Sequence, residues 1–349
     1  MTRFLKAVKV VFINVVVLVL LLALLEGGAS LLFITRQVLR TPGVSEQSHS
    51  RYHETIGWVS LPNVHLPHLY GPGMHLRTNA QGFRSDRDFT REVPPGKTRV
   101  VCSGDSFTLG FGVSNDQAWC QRLAALDARL EAVNMGQGGY GLDQVYLWYL
   151  HAGVALAHDV HLVAFITDDF LRMQSDRFLG YGKPLLGLHG DSIVVRNRPV
   201  PRTSSFTRWR ASQGHAIGNL NMVQLAHRVM GRDKPATAAS TPQRTQETRA
   251  IASRVFAHLE RINRGKGSRL VLVHLPGPGD YRRNDATTSW REFVRGEAAR
   301  QGITFVDMVD ALRRVPPEEV NDLFAPNSHY SVAGNEFVAR ELVKHLAMP

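Results

Sequence analysis

Two cysteines in 349 residues, Cys102 and Cys120, are too few for a disulfide framework. Cys102 lies in an apolar run and Cys120 in an expected helix, so both read as buried free thiols, with their pairing as the alternative. The chain also lacks any basic run interleaved with aromatics and any nucleic-acid module pattern, so no nucleic acid is expected as a partner despite a net charge of +11. A dinucleotide fingerprint is missing too: Gly110-Phe111-Gly112 has neither the third glycine nor the acidic residue that would follow it. His49, His53, His65, His68 and His75 are plentiful, but their spacings fit no helical or hairpin ligand pair, and they read as surface histidines. No metal and no cofactor is therefore expected. Charged residues make up 20% and hydrophobic residues 44%, which excludes a disordered chain.

What the chain does have is a basic surplus, 41 Lys+Arg against 30 Asp+Glu. Such a surplus favours anionic partners such as phospholipid head groups or acidic glycans. It also has one long hydrophobic run. Val10 to Leu25 is apolar apart from Asn14, and after Glu26 an apolar and small-residue stretch continues to Ile34. A bilayer span needs roughly 20 such residues. A secretory apolar region is about 7–15 residues long, and no small-x-small cleavage site follows this one. Residues 10–34 are thus expected to be a single-pass anchor, with 1–9 as a cytoplasmic tail. Arg3, Lys6 and Lys9 precede the span while Arg36 and Arg40 follow it, so the positive-inside count is nearly balanced. A lone N-terminal anchor ahead of a large soluble region leaves that region facing outward or into the periplasm.

Residues 35–96 read as a linker and edge segment, with short strands and turns at "GWVSLPN" (57–63) and "RTNAQGFRSD" (77–86). From residue 97 to 349 apolar strands alternate with helices. Strands are expected at Thr98–Gly104, Leu130–Gly136, Asp159–Phe170, Ser268–Gly277 and Ile303–Met308. Helices are expected around Trp119, Leu123 and Leu126, over Leu142–Ala157, along Ile251, Val255, Leu259 and Ile262, and over Ala333–Leu346. Nearly continuous apolar strands separated by helices predict an α/β domain with a mostly parallel five-stranded sheet covered on both faces. Sites in open sheets of this kind lie beyond the carboxyl ends of the strands. The pattern breaks at 172–246, read as an insertion: "KPLLGLHGDSIVVRNRPVP" predicts a hairpin and "DKPATAASTPQRTQ" (233–246) a low-complexity linker.

Gly-Asp-Ser occurs twice, at 104–106 and 190–192. A nucleophilic hydroxyl needs a strand-to-helix turn, where backbone N–H groups face a developing oxyanion. Ser106 follows an apolar strand and precedes a turn and a helix. Ser192 runs straight into "IVVRN", the return arm of the expected hairpin, and reads as a turn residue. Ser106 is the candidate.

At this point the chain resembles a known family. "GDSF" with its strand and following glycines resembles the first block of the SGNH/GDSL hydrolases, and "NMGQGGYGLDQ" (134–144) the second, with Gly139 at the oxyanion glycine. "FITDDF" (165–170) falls where the third block belongs. "NSHYSVAGN" (327–335) resembles the last, histidine-bearing block with its downstream glycine. The upstream "RTNAQGFRSD" and the anchor are similar to the membrane-anchored, outward-facing branch. The resemblance implies a three-layer α/β/α (flavodoxin-like) hydrolase with Ser106 as nucleophile and His329 as base. It also implies an oxyanion hole of the Ser106 and Gly139 N–H groups with the third-block side chain.

Two positions depart from the family pattern. Where the third block offers an asparagine amide, this chain has Asp168, whose ionised carboxylate would repel an oxyanion; Asp169 takes that place if the block is read one residue later. Where the family places the triad aspartate, two or three residues before the histidine, this chain has Asn327 and Pro326. Asn327 is able to orient an imidazole as amides do in Cys-His-Asn enzymes, Asp322 is an alternative, and a Ser-His dyad a third. Three functions follow from these residues: an esterase removing acyl groups, acetyl above all, from envelope polysaccharide or lipid; an O-acyltransferase passing the same acyl group to a glycan; or a binding protein on an eroded hydrolase fold. Trp58, Trp148, Trp209 and Trp290 are able to stack on sugars, but core packing is the expected use of most of them.

Overall fold

The computed structural model describes residues 2–39, 49–178, 181–202, 222, 241–282 and 285–346. Two compact units divide the chain, one of Met1–Val44 with Ser204–Ala239 and one of Ser45–Thr203 with Ser240–Pro349. In the first, a helix runs over Thr2–Leu39. Its segment Phe4–Leu32 has a mean hydropathy of 3.0 and is long and apolar enough to cross a membrane.

The second unit is built on five parallel strands: β1 (Thr98–Ser103), β2 (Leu130–Asn134), β3 (Val160–Phe165), β4 (Arg269–His274) and β5 (Thr304–Asp307). Their order is β5-β4-β3-β1-β2, with every neighbouring pair in the same direction. Because side chains alternate along a strand, Val101, Val133, Val163 and Leu272 face one side and meet the helices Leu142–Trp148, Pro242–Gly265 and Asp285–Gln301. Val100, Cys102, Leu162 and Val271 face the other and meet Trp119–Leu126 and Val332–Leu346. This is the three-layer α/β/α fold. Strand order reverses between β1 and β3, so the crevice at that switch point lies beyond the ends of the two strands that lead to Ser106 and Asp168.

Three local expectations change. The stretch Asp159–Phe170 is not one strand: β3 ends at Phe165 and Thr167–Arg172 is a helix. Asp169, three residues into that turn, accepts the Ile166 main-chain N–H at 3.1 Å, an N-terminal capping contact that outweighs the apolar run. The expected helix Leu142–Ala157 stays α-helical only to Trp148, then widens into a π turn over Tyr149–Gly153. The cysteines are not free thiols. Cys102 on β1 and Cys120 on the helix Trp119–Leu126 form a disulfide with Cα atoms 6.4 Å apart, because that helix packs on the sheet face toward which Cys102 points.

The hairpin forms as expected, pairing Leu185–His189 with Ser192–Arg196. Arg172, where the insertion is expected to begin, is the last residue of the helix after β3. The low-complexity stretch 233–246 lies outside the described residues up to 240, and from Pro242 it is already helix. Trp209 also lies outside them. Trp58, Trp148 and Trp290 are core residues.

Candidate active site

Ser106 opens a single helical turn, Ser106–Leu109, directly after β1. Asp105 caps that turn by accepting the Phe107 N–H at 2.9 Å, which leaves the Ser106 N–H at the positive end of the turn. The far end is held by Arg84 from the edge segment. Its guanidinium is fully buried and donates to the carbonyls of Leu109 and Gly110, both at 2.6 Å, and of Val113 at 2.5 Å. A buried charge is tolerable when its donors are all used. Here they fix the turn that carries the serine.

His329 arrives from the other end of the chain. Its loop is tight: Ser328 adopts φ +67°, and the Ala325 N–H donates to the His329 carbonyl at 2.7 Å. Tyr330 anchors the loop by donating its hydroxyl to the Pro276 carbonyl at 2.8 Å. Gly334, the downstream glycine of the block, has no room for a side chain, since a Cβ there would run into the Leu323 carbonyl. The result places His329 Nε2 2.9 Å from Ser106 Oγ. Asp105 Oδ2 is a more distant acceptor for the same hydroxyl, at 3.4 Å. With Ser106 donating to Nε2, the ring proton sits on Nδ1 and points at the Asn327 carbonyl, 3.3 Å away.

The His329 imidazole is held below its ordinary pKa. Burial is the main cause, since it disfavours the cation, and Arg172 adds to it, while Asp105 and the Asn327 carbonyl pull the other way. The ring packs against Phe107 and Phe111, with centroids 4.9 and 4.6 Å away. A neutral imidazole hydrogen-bonded to a serine is a competent general base.

Asn327 reaches the ring only with its main-chain carbonyl. Its amide oxygen accepts the His329 main-chain N–H at 3.1 Å. Asp322 lies on the single turn Asn321–Leu323 and offers its carbonyl to Ser331. Ser192 is exposed and opens the second arm of the hairpin, paired with His189, so the turn itself is Gly190-Asp191 and not the serine.

Beside His329 is a cavity of about 360 Å³ bordered by Phe107, Thr167, Asp168, Arg172 and Asp280. Asp168 therefore shares a space with His329. Asp169 does not: it is fully buried, and burial together with Asp105 pushes its carboxyl well above the usual range. Gly139 sits in a turn at φ +75°, and a Cβ there would run into the Phe178 ring. Among the described residues no group of three or more His, Cys, Asp or Glu is arranged to hold a metal ion.

Sequence reading passes over Arg84, Asp105, Arg172 and Asp280. Two of them leave a local signal, Asp105 as the middle residue of the Gly-Asp-Ser motif and Arg172 by its i,i+3 spacing from Asp169 on one helix. The others are brought in by turns and by distant strands.

No protein-family model and no curated protein matches this chain. Solved structures similar to it include a putative lipolytic protein of the G-D-S-L family from Desulfitobacterium hafniense DCB-2, at 14% identity and TM-score 0.42, covering 72% of this chain and all of that one. Another is the lipase/acylhydrolase from Enterococcus faecalis, at 13% and 0.40, covering 71% of this chain and 95% of that one. A third is a family two carbohydrate esterase from Clostridium thermocellum in complex with cellohexaose, at 11% and 0.41, covering 73% and 65%. Its own sheet order gives this chain a three-layer α/β/α fold, and the strand-to-helix turn at Ser106 and the histidine turn ahead of the last helix carry the residues in which it resembles the SGNH/GDSL hydrolases.

Proposed function

We propose that this chain is a membrane-anchored serine esterase that removes small acyl groups, acetyl above all, from hydroxylated envelope substrates. The observation that carries the reading is the 2.9 Å contact of Ser106 Oγ with His329 Nε2, the histidine bordering a cavity. Ser106 Oγ attacks the ester carbonyl as its proton passes to His329 Nε2. The tetrahedral adduct collapses, and the leaving alcohol takes that proton. Water then repeats the sequence on the acyl-enzyme and releases the acid, restoring serine and neutral histidine. The N–H groups of Ser106 and Gly139 would face the oxyanion. His329 works as a dyad base, its Nδ1–H held by the Asn327 carbonyl.

Two features support an outward-facing domain. The segment Phe4–Leu32 suits an anchor, and the Cys102–Cys120 disulfide suits an oxidising compartment.

Hydrolysis of p-nitrophenyl acetate and butyrate by the full chain in detergent tests the reading, with Ser106→Ala and Ser192→Ala as variants. Activity should fall ~10³-fold or more with Ser106→Ala, stay unchanged with Ser192→Ala, and favour acetate. Turnover that survives Ser106→Ala would remove the serine mechanism.

A further inference from the structure

A charged group that borders the cavity and that the mechanism above does not use is Arg172. One nitrogen of its guanidinium, Nη1, donates to three acceptors: the Asp105 carboxylate at 3.1 Å, the Tyr140 carbonyl at 2.9 Å and the Asp169 carboxylate at 2.8 Å. Asp105 precedes the nucleophile, Tyr140 follows the glycine of the second block, and Asp169 follows Asp168 of the third. A single atom thus joins the three turns from which an acyl-transfer site is assembled.

The guanidinium also stacks over the Phe178 ring, 5.0 Å from its centroid. That same ring fills the space beside Gly139 and stacks on Trp58. On the other side, the main-chain carbonyl of Arg172 accepts from Lys183 Nζ at 3.0 Å, and Lys183 forms a buried ion pair with Asp143. The arm carrying Phe178 and Lys183 lies between the helix ending at Arg172 and the hairpin. Arg172 is where that arm meets the Gly139 turn.

We infer that Arg172 is the positioning residue of this site: its guanidinium fixes the Gly139–Tyr140 turn against the Asp105–Ser106 turn, setting the separation of the two oxyanion donors where Asp168 offers no amide. The inference rests on the esterase reading. Its physical basis is geometric, because oxyanion donors act only when held at the position the developing charge will occupy. A planar, delocalised cation suits a three-acceptor junction better than an ammonium on a flexible stem.

A second consequence separates positioning from mere support. The charged groups around His329 are Asp105, Arg172 and, across the cavity, Asp168 and Asp280, while Phe107 and Phe111 cover the ring. Loss of the Arg172 charge leaves Asp105 uncompensated, which favours the imidazolium. The acid limb of kcat/KM must then move to higher pH.

The experiment compares wild type, Arg172→Lys, Arg172→Met and the double variant Arg172→Met/Asp169→Asn, which removes one charge of each sign so that the interior stays balanced if Arg172→Met alone does not fold. Melting curves establish folding, and kcat, KM and the pH profile are read with p-nitrophenyl acetate. Arg172→Lys should lose ~10-fold or more in kcat with KM near wild type and keep its acid limb in place. The folded Met variants should lose at least as much and shift the limb upward. A folded Met variant with wild-type kcat and an unmoved limb overturns the inference, as does a change in KM alone. If wild-type turnover does not depend on Ser106, the esterase reading fails separately. Slower fluorophosphonate labelling of Ser106 in the Met variants than in wild type then supports the positioning role, and equal or absent labelling overturns it.

Discussion

Ser106 Oγ and His329 Nε2 lie 2.9 Å apart although 223 positions separate the two residues in the chain. Neither element would hold its side chain there alone. Asp105 and Arg84 fix the two ends of the serine turn, and Tyr330 with Gly334 fixes the histidine loop. Groups that act as one unit are not additive. Ser106→Ala, His329→Ala and the double variant should therefore lose hydrolysis to within about threefold of one another. A double variant far below either single would show two independent contributions.

The pH dependence follows from the lowered His329 pKa. The base must be neutral, so kcat/KM should rise with pH and reach its plateau early, with a midpoint below the ordinary imidazole value of about 6.5. A midpoint above 6.5 would contradict the burial of the ring. Stability has the same sign. His49, held at about 4 by burial and by Arg84, and His158 and His161, lowered chiefly by burial, are neutral when folded and gain protons more readily when unfolded. The unfolded state then binds more protons below about pH 6.5, so stability is greatest above that value and falls toward pH 4. Melting temperatures measured at pH 8, 6 and 4 should decline in that order.

Asp168 borders the cavity next to His329, where the family pattern carries an amide donor. In the proposed site, Asp168→Asn would remove a carboxylate from the cavity that His329 borders and supply a donor in its place. Because Asp168 is exposed, solvent screens part of its charge, and the expected gain in kcat on simple esters is modest, ~10-fold. A loss of kcat would mean that the carboxylate itself takes part.

The disulfide closes a short loop between β1 and the helix Trp119–Leu126. Reduction, or Cys102→Ser with Cys120→Ser, should cost about 3 kcal/mol by the loop-entropy relation and lower the melting temperature by several degrees. Thiol alkylation of denatured protein from the native membrane, with and without reductant, tests its presence in the cell. Labelling without reductant would place the domain in a reducing compartment.

Arg84→Met should be more damaging than its distance from His329 suggests. It leaves the Leu109, Gly110 and Val113 carbonyls without their buried donor, and each unsatisfied group costs about 1–3 kcal/mol. The expected result is a lower melting temperature together with lost activity. Unchanged values of both would show that the serine turn holds itself.

The sequence by itself determined the five strands, because runs such as "RVVCS" and "LVLVH" are apolar on both faces and suit only a sheet covered on both sides. It also singled out Ser106 over Ser192, because one Gly-Asp-Ser leads into a helix and the other into a hairpin arm. The end of β3 was harder to read: Ile166 continues an apolar run, and only the Asp169 contact to the Ile166 N–H turns the chain into helix. Tertiary structure alone decided the rest. Which of Asn327, Asp322 or nothing faces the imidazole depends on the loop's main-chain path, which sends a carbonyl to Nδ1 and the amide elsewhere. Cysteine pairing depends on a helix crossing the right face of β1, and the roles of Arg84 and Arg172 on turns from separate segments meeting at one guanidinium. Spacing along the chain encodes local periodicity, whereas these contacts are set by the packing of segments remote in sequence.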